Sequence, residues 1–236
     1  HYYSWTLKET FLLLQERLKH FYISFGFFED ELEMIKNCYV NMRDHSFRLI
    51  EGKPHLRQEF PIFVIGSGPS LDRDLPHIRK WRENAILMSC GTALRILLKN
   101  DIRPDLHVEN ERVRIVPEIL GDCRRDFGLE GITLIATTTA NPQIAGLFDK
   151  RWYFFRDALS PTDIFDTGTD SVKNADPLVT NAGFSIATLL GFQNVYFFGV
   201  DCGQKEVGLH HSKDAIYYQK KHVHLDEQYR KRPDRV

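Results

Sequence analysis

Long apolar runs are missing from this sequence. No stretch approaches the roughly 18–20 residues needed to span a bilayer as a helix, and no signal-peptide pattern precedes the first elements. A membrane-spanning helix is excluded on that count, and a cytoplasmic setting is expected. An excess of one charge is missing too: 31 Lys and Arg stand against 32 Asp and Glu. A wide basic surface for nucleic acid is therefore not expected. Cysteine is scarce. Cys38, Cys90, Cys123 and Cys202 lie far apart with no C-x-x-C pair, which excludes a zinc ribbon or a secreted disulfide framework and fits a reducing compartment. The sequence opens on His1 and reads as a piece of something longer. What is present is ordinary globular composition, 42% hydrophobic and 27% charged over 236 residues, enough for a sizeable core without staples.

Two patterns divide the chain. In residues 1–52, Phe11 to Leu14, Leu18, Phe21, Tyr22 and Phe25 recur at helical spacing, as do Leu32, Ile35, Tyr39 and Met42, predicting two helices joined near Gly26 that serve packing. After a linker at 51–54, residues 53–236 alternate short apolar runs with amphipathic stretches. Strands are predicted at 62–65, 85–89, 106–109, 132–137, 152–155 and 195–200, and helices at 75–81, 93–99, 113–124, 143–148 and 184–190. The alternation predicts a Rossmann-like α/β fold, a mostly parallel sheet with helices on both faces, preceded by the N-terminal helical segment. Residues 157–176 read as a long polar loop, and the charged end at 230–236 as solvated.

In such folds ligands bind beyond the carboxyl ends of the strands. The first predicted strand runs straight into Gly66-Ser67-Gly68-Pro69-Ser70-Leu71-Asp72. Glycines let backbone N–H groups approach a phosphate, the two serines add hydroxyls, and the following helix would aim its positive end at the anion. The alternative is a tight strand-to-helix turn capped by Ser70 or Asp72. The second strand ends at Ser89-Cys90-Gly91-Thr92, another small polar turn.

Asp105, His107 and Glu109 alternate on the third strand, followed by Asn110 and Glu111. They would serve a ribose, a base or Mg²⁺, or else mark a solvated edge strand. Thr137-Thr138-Thr139-Ala140-Asn141 supplies hydroxyls at a further strand end, with Asn141 as a helix cap. Thr180 and Asn181 are good N-cap residues and would create a second helix terminus facing the same crevice. Asp201 ends the apolar run 195–200 and reads as buried, a position tolerable only with a partner. His210 and His211 follow and supply a candidate general base, although adjacent loop histidines are often surface residues; with no third ligand nearby, a metal site is not expected there.

Taken in order, G-S-G-P-S-L-D, T-N-A-G-F-S-x-A-x-x-L-G, V-Y-F-F-G-V-D and a histidine-bearing loop resemble the motility-associated Maf flagellin glycosyltransferases, also described as the 6-hydroxymethylpterin diphosphokinase MptE-like family. The pattern is also similar to a bacterial sialyltransferase family whose turn reads G-N-G-P-S-L, with Asn where this chain has Ser67. The resemblance spans residues 60–220 and implies transfer of a sialic-acid-like nonulosonate from a CMP-activated donor to Ser or Thr of flagellin or another protein. By that analogy Gly66, Ser67, Gly68, Pro69 and Ser70 cradle the CMP phosphate, and Thr180 and Asn181 lie near the cytidine or the sugar carboxylate. The same analogy makes Asp201 the organiser of the site and His210 or His211 the base, while Gly91, Glu109, Asn110 and Thr137 are expected to complete the nucleotide site from their places at the neighbouring strand ends. The activated donor needs no metal or further cofactor. Two alternatives stand beside it: an ATP-using pterin diphosphokinase, which would need Mg²⁺ on Asp105, Glu109, Glu111 and Asp201, and a non-catalytic nucleotide-binding module.

Overall fold

The computed structural model describes residues 4–24, 28–166, 171–204 and 209–218, with the side chains of 16–24 left aside. The predicted helix junction at Gly26, part of the 157–176 loop and the charged end lie outside the described residues. Eight parallel strands form one sheet: β1 (Arg48–Leu49), β2 (Ile62–Ile65), β3 (Ile86–Cys90), β4 (Leu106–Glu109), β5 (Thr133–Thr137), β6 (Lys150–Arg156), β7 (Ser171–Val172) and β8 (Val195–Phe198). The order is β1-β6-β5-β4-β3-β2-β8, with β7 pairing the end of β6. β2, β3 and β5 are buried nearly throughout, which is why they read as continuous apolar runs instead of alternating ones.

Helices cover both faces. On one side, α3 (Leu71–Trp81), α4 (Ala93–Lys99) and α5 (Ile115–Phe127) pack Leu75, Ile78, Ile96, Leu97 and Leu120 against Phe63, Ile65, Leu87 and Leu134. On the other, α7 (Val179–Leu189) lays Ala182, Ile186 and Ala187 over Ile62, Val64, Met88 and Val108. The Rossmann-like α/β architecture is as the sequence predicts. Three local readings differ. Residues 157–176 contain α6 (Ser160–Phe165) and β7, elements too short to show periodicity. Residues 142–147 form a 3₁₀ helix capped by the Asn141 side chain, which accepts the Gln143 N–H at 3.1 Å. β8 is an edge strand with Tyr196 and Phe197 about half exposed, so its apolar composition reflects strand propensity and not burial.

The N-terminal helices behave unequally. In α1 (Trp5–Ser24), Phe11 to Leu14 are exposed, contrary to a packing role. α2 (Phe28–Asp44) does pack, but not on its expected face: Leu32 and Tyr39 are half exposed, while Met34, Asn37, Cys38 and Asn41 are buried. Asn41 Nδ2 donates to the carbonyls of Thr138 and Ala140, both at 2.8 Å, and its Oδ1 accepts from the Tyr153 hydroxyl at 3.0 Å. A polar stripe thus docks α2 on the turn after β5, and a search for apolar periodicity cannot see it. β1, within residues 1–52, is an edge strand of the same sheet. Among the described residues no helix is long and apolar enough to cross a membrane.

Candidate functional site

Strand order reverses at β2: β3 to β6 lie to one side of it and β8 to the other, so the ligand crevice is expected beyond the ends of β2 and β8. The glycine-serine turn sits there, interleaved with the end of β8. Gly66 N–H donates to the Phe198 carbonyl and Gly68 N–H to the Gly199 carbonyl, each at 2.8 Å. A Cβ on Gly66 would stand 2.6 Å from the Gly199 oxygen, and one on Gly68 2.1 Å from an Asp201 carboxylate oxygen. These glycines are required by two backbones passing at close range, before any ligand is considered.

The positive end of α3 is already occupied. Asp201 is exposed, not buried as its place after an apolar run suggested, because β8 stops at Phe198 and the chain turns outward. Its Oδ2 accepts the Ser70 N–H at 2.9 Å, and Asp72 and Asp74 lie in the first turn of the helix. Ser70 has helical dihedrals and makes no side-chain cap. Of the backbone donors in 66–71, only Ser67 N–H has no partner among the described residues.

The N-terminus of α7 contrasts with this. Leu178 precedes it and caps nothing, and its first turn carries no acid. Thr180 and Asn181 therefore lie inside the first turn instead of capping it, a correction to their sequence reading. The Thr180 methyl is 3.1 Å from the Cβ position of Gly66, and a Val179 methyl is 3.3 Å from that of Gly91, where φ is +53°. One helix start thus abuts both strand-end turns. Between them the Thr92 hydroxyl donates to the Ser67 hydroxyl at 2.8 Å, a pair that sequence reasoning did not join.

Apart from the exposed Glu111, the polar groups after β4 and β5 are buried and not a solvated edge, because β4 is a central strand. Glu109 Oε1 accepts the N–H groups of Asn110 (2.9 Å) and Glu111 (3.0 Å). Burial nonetheless pushes this carboxyl up to about 7. His107, stacked on Phe148 with Nδ1 3.0 Å from the Ser89 hydroxyl, is lowered to about 4 by burial and is neutral near pH 7. Asn110 Nδ2 reaches the Ala175 carbonyl at 3.4 Å. Thr137 and Thr139 share a 3.2 Å hydroxyl contact. Asp105 immediately precedes β4 and pairs with Arg82 at 2.8 Å, so it lies at the opposite end of the strand from Glu109, and the carboxylates required for Mg²⁺ do not converge. Among the described residues no group of three His, Cys, Asp or Glu is arranged to hold a metal.

The histidine loop meets the glycine-serine turn. Both His210 and His211 donate their backbone N–H groups to the Tyr218 hydroxyl at 3.1 Å, and the His211 ring stacks on Tyr217 at 4.2 Å. The next residue, Ser212, is fully buried and donates its N–H to the Ser67 carbonyl at 2.9 Å. The structure thus brings Gly66–Ser70, Gly91, Thr180, Asp201 and the His210–His211 segment to one crevice. Thr92, Ser212, Tyr217 and Tyr218 join it, and of these only Thr92, in the polar turn after the second strand, carries a signal in the sequence.

The chain matches the family model described as 6-hydroxymethylpterin diphosphokinase MptE-like over residues 32–207. The solved structure of the Maf glycosyltransferase from Magnetospirillum magneticum AMB-1 is similar at a TM-score of 0.80 and 35% sequence identity, covering 87% of this chain and 32% of that one. The chain therefore spans about a third of the length of that protein. No curated protein matches it. Since the matched residues take in every strand of the sheet and all three motifs around the crevice, the chain belongs to the MptE-like family.

Proposed function

We propose that this chain is the donor-binding core of a glycosyltransferase that moves a nonulosonate, pseudaminic or legionaminic acid, from its CMP-activated form to a Ser or Thr hydroxyl of flagellin. The observation that carries the proposal is the hydrogen bond from Ser212 N–H to the Ser67 carbonyl, which ties a histidine-bearing loop to the turn beside an uncapped helix start. An anion seat and a base thereby share one crevice.

The CMP phosphate gains negative charge as the bond to the sugar breaks. Preorganised donors aimed at that charge lower the barrier most. The Val179 and Thr180 N–H groups at the start of α7, the Ser67 N–H and the Ser67–Thr92 hydroxyl pair are those donors. The sugar passes through an oxocarbenium-like state. His210 or His211 takes the proton from the acceptor hydroxyl, whose oxygen forms the new glycosidic bond while CMP leaves. Asn110 and Glu109 line the base or ribose side. No metal enters these steps.

The description of the family favours a second reading, an ATP-dependent diphosphokinase using Mg²⁺. A calorimetric panel of CMP, CDP, AMP, ATP and GTP, with and without Mg²⁺, separates the two. Metal-independent binding selective for CMP is expected. Mg²⁺-dependent ATP binding with no response to CMP would sink the transferase reading, and nucleotide binding with no turnover of any CMP-sugar would leave a binding module.

A further inference from the structure

Asp72 closes the glycine-serine motif, where it reads as a cap for the helix that follows. Its carboxylate faces elsewhere. Oδ1 accepts the hydroxyl of Ser212, and Oδ2 accepts the backbone N–H of Lys213 at 3.1 Å. Ser212 in turn donates its N–H to the Ser67 carbonyl at 2.9 Å. A second tie follows at once: Asp214 accepts from Lys99 Nζ and from Asn100 Nδ2 (3.2 Å), at the end of α4. The segment carrying His210 and His211 is therefore pinned, immediately after the histidines, to the β2–α3 turn and to α4. Hydrogen bonds to a carboxylate are about twice as strong as neutral ones, so Asp72 supplies the firmest of these ties to the turn.

We infer that Asp72 is a positioning residue for the transfer reaction. Through Ser212 and Lys213 it keeps the histidine loop in register with Ser67, so that base and anion seat hold one spacing. Asp72 touches neither donor nor acceptor. Its catalytic consequence rests on the glycosyltransferase reading; its mechanical consequence, the fastening of the loop, does not.

Two variants separate these. Asp72→Asn keeps the size but turns one acceptor into a donor facing another donor; Ser212→Ala removes one donor and leaves the charge. The measurements are ¹H–¹³C spectra of the histidine rings in the ligand-free protein, CMP affinity by calorimetry, and kcat and KM for sugar transfer. In both variants the His210 and His211 ring signals are expected to shift and broaden. The Kd for CMP should stay within about two-fold. The kcat should fall on the order of ten- to hundred-fold with the donor KM little changed, as for a misplaced catalytic group. Unchanged ring signals in both variants would overturn the inference. So would a loss of CMP affinity in step with kcat, since Asp72 would then act on the turn and not on the loop. If the wild-type chain transfers sugar from no CMP donor, the functional reading fails, and the ring signals still decide whether Asp72 fastens the loop.

Discussion

Two helices begin at the same crevice and meet it with opposite chemistry. At α3, the Asp201 carboxylate accepts the Ser70 N–H and Asp74 adds a further acid to the first turn, so the positive end of the helix is met by the chain's own carboxylates. At α7, the Leu178 side chain caps nothing and no acid lies in the first turn, so among the described residues no carboxylate meets the positive end. Uncapped N–H groups and unopposed dipole charge together make a helix start an anion site. The glycine-rich motif, which attracts attention first, thus builds the wall of the crevice by interleaving with β8. On the function proposed above, the anion seat lies at the helix with no phosphate signature in its sequence.

The largest effect is expected at Glu109, the buried carboxyl near these turns. Its folded value of about 7 lies above the ordinary 4.5, so the folded state keeps a proton that the unfolded chain releases. Stability should therefore fall as pH rises from about 4.5 to about 7, by on the order of 3 kcal/mol in all. Glu109→Gln should lack that slope and gain most over wild type at pH 8, read from urea midpoints. A larger gain at pH 5 would reverse the assignment of charge.

Next comes the interleaving itself. Gly66→Ala places a Cβ 2.6 Å from the Gly199 carbonyl and should cost about 2 kcal/mol by overpacking. An unchanged denaturant midpoint would mean that the two backbones do not pass as closely as described.

The bare helix end is tested by filling it. Leu178 is 47% exposed, so Leu178→Asp can cap α7 as Asp201 caps α3. Stability should rise by about 1 kcal/mol. CMP affinity should fall about ten-fold, since a fixed negative charge now competes for the seat. A stabilised protein with wild-type affinity would remove α7 from the site. The smallest effect is expected at the filled end. Asp201→Asn should change CMP affinity by less than about two-fold, because the amide oxygen still accepts the Ser70 N–H. A pronounced change in titration calorimetry would show that α3 takes part after all.

Much of the sheet was legible because parallel strands buried on both faces are apolar throughout. The runs at 62–65 and 106–109 coincide with β2 and β4, and the other four predicted runs fall within two residues of β3, β5, β6 and β8. β1 and β7, two residues each, carry no pattern long enough to read. Composition misled at β8, where Tyr196 and Phe197 face solvent on an edge, and the burial of Asp201 was inferred from that same run. At α2 the docking face is built on Asn37 and Asn41, whose partners are backbone carbonyls about a hundred residues away. In the crevice, residue types pointed to Gly66–Ser70, Thr180 and the histidines. The division of labour between α3 and α7 depends on which way Asp72 and Asp201 turn, and that is a tertiary fact.

The most direct test of where an anion sits is a backbone amide ¹H–¹⁵N titration of the protein with CMP. The Ser67, Val179 and Thr180 signals are expected to move furthest while Ser70 and Leu71 stay in place. Largest shifts at Ser70 and Leu71, with Asp201 released from the Ser70 N–H, would contradict it.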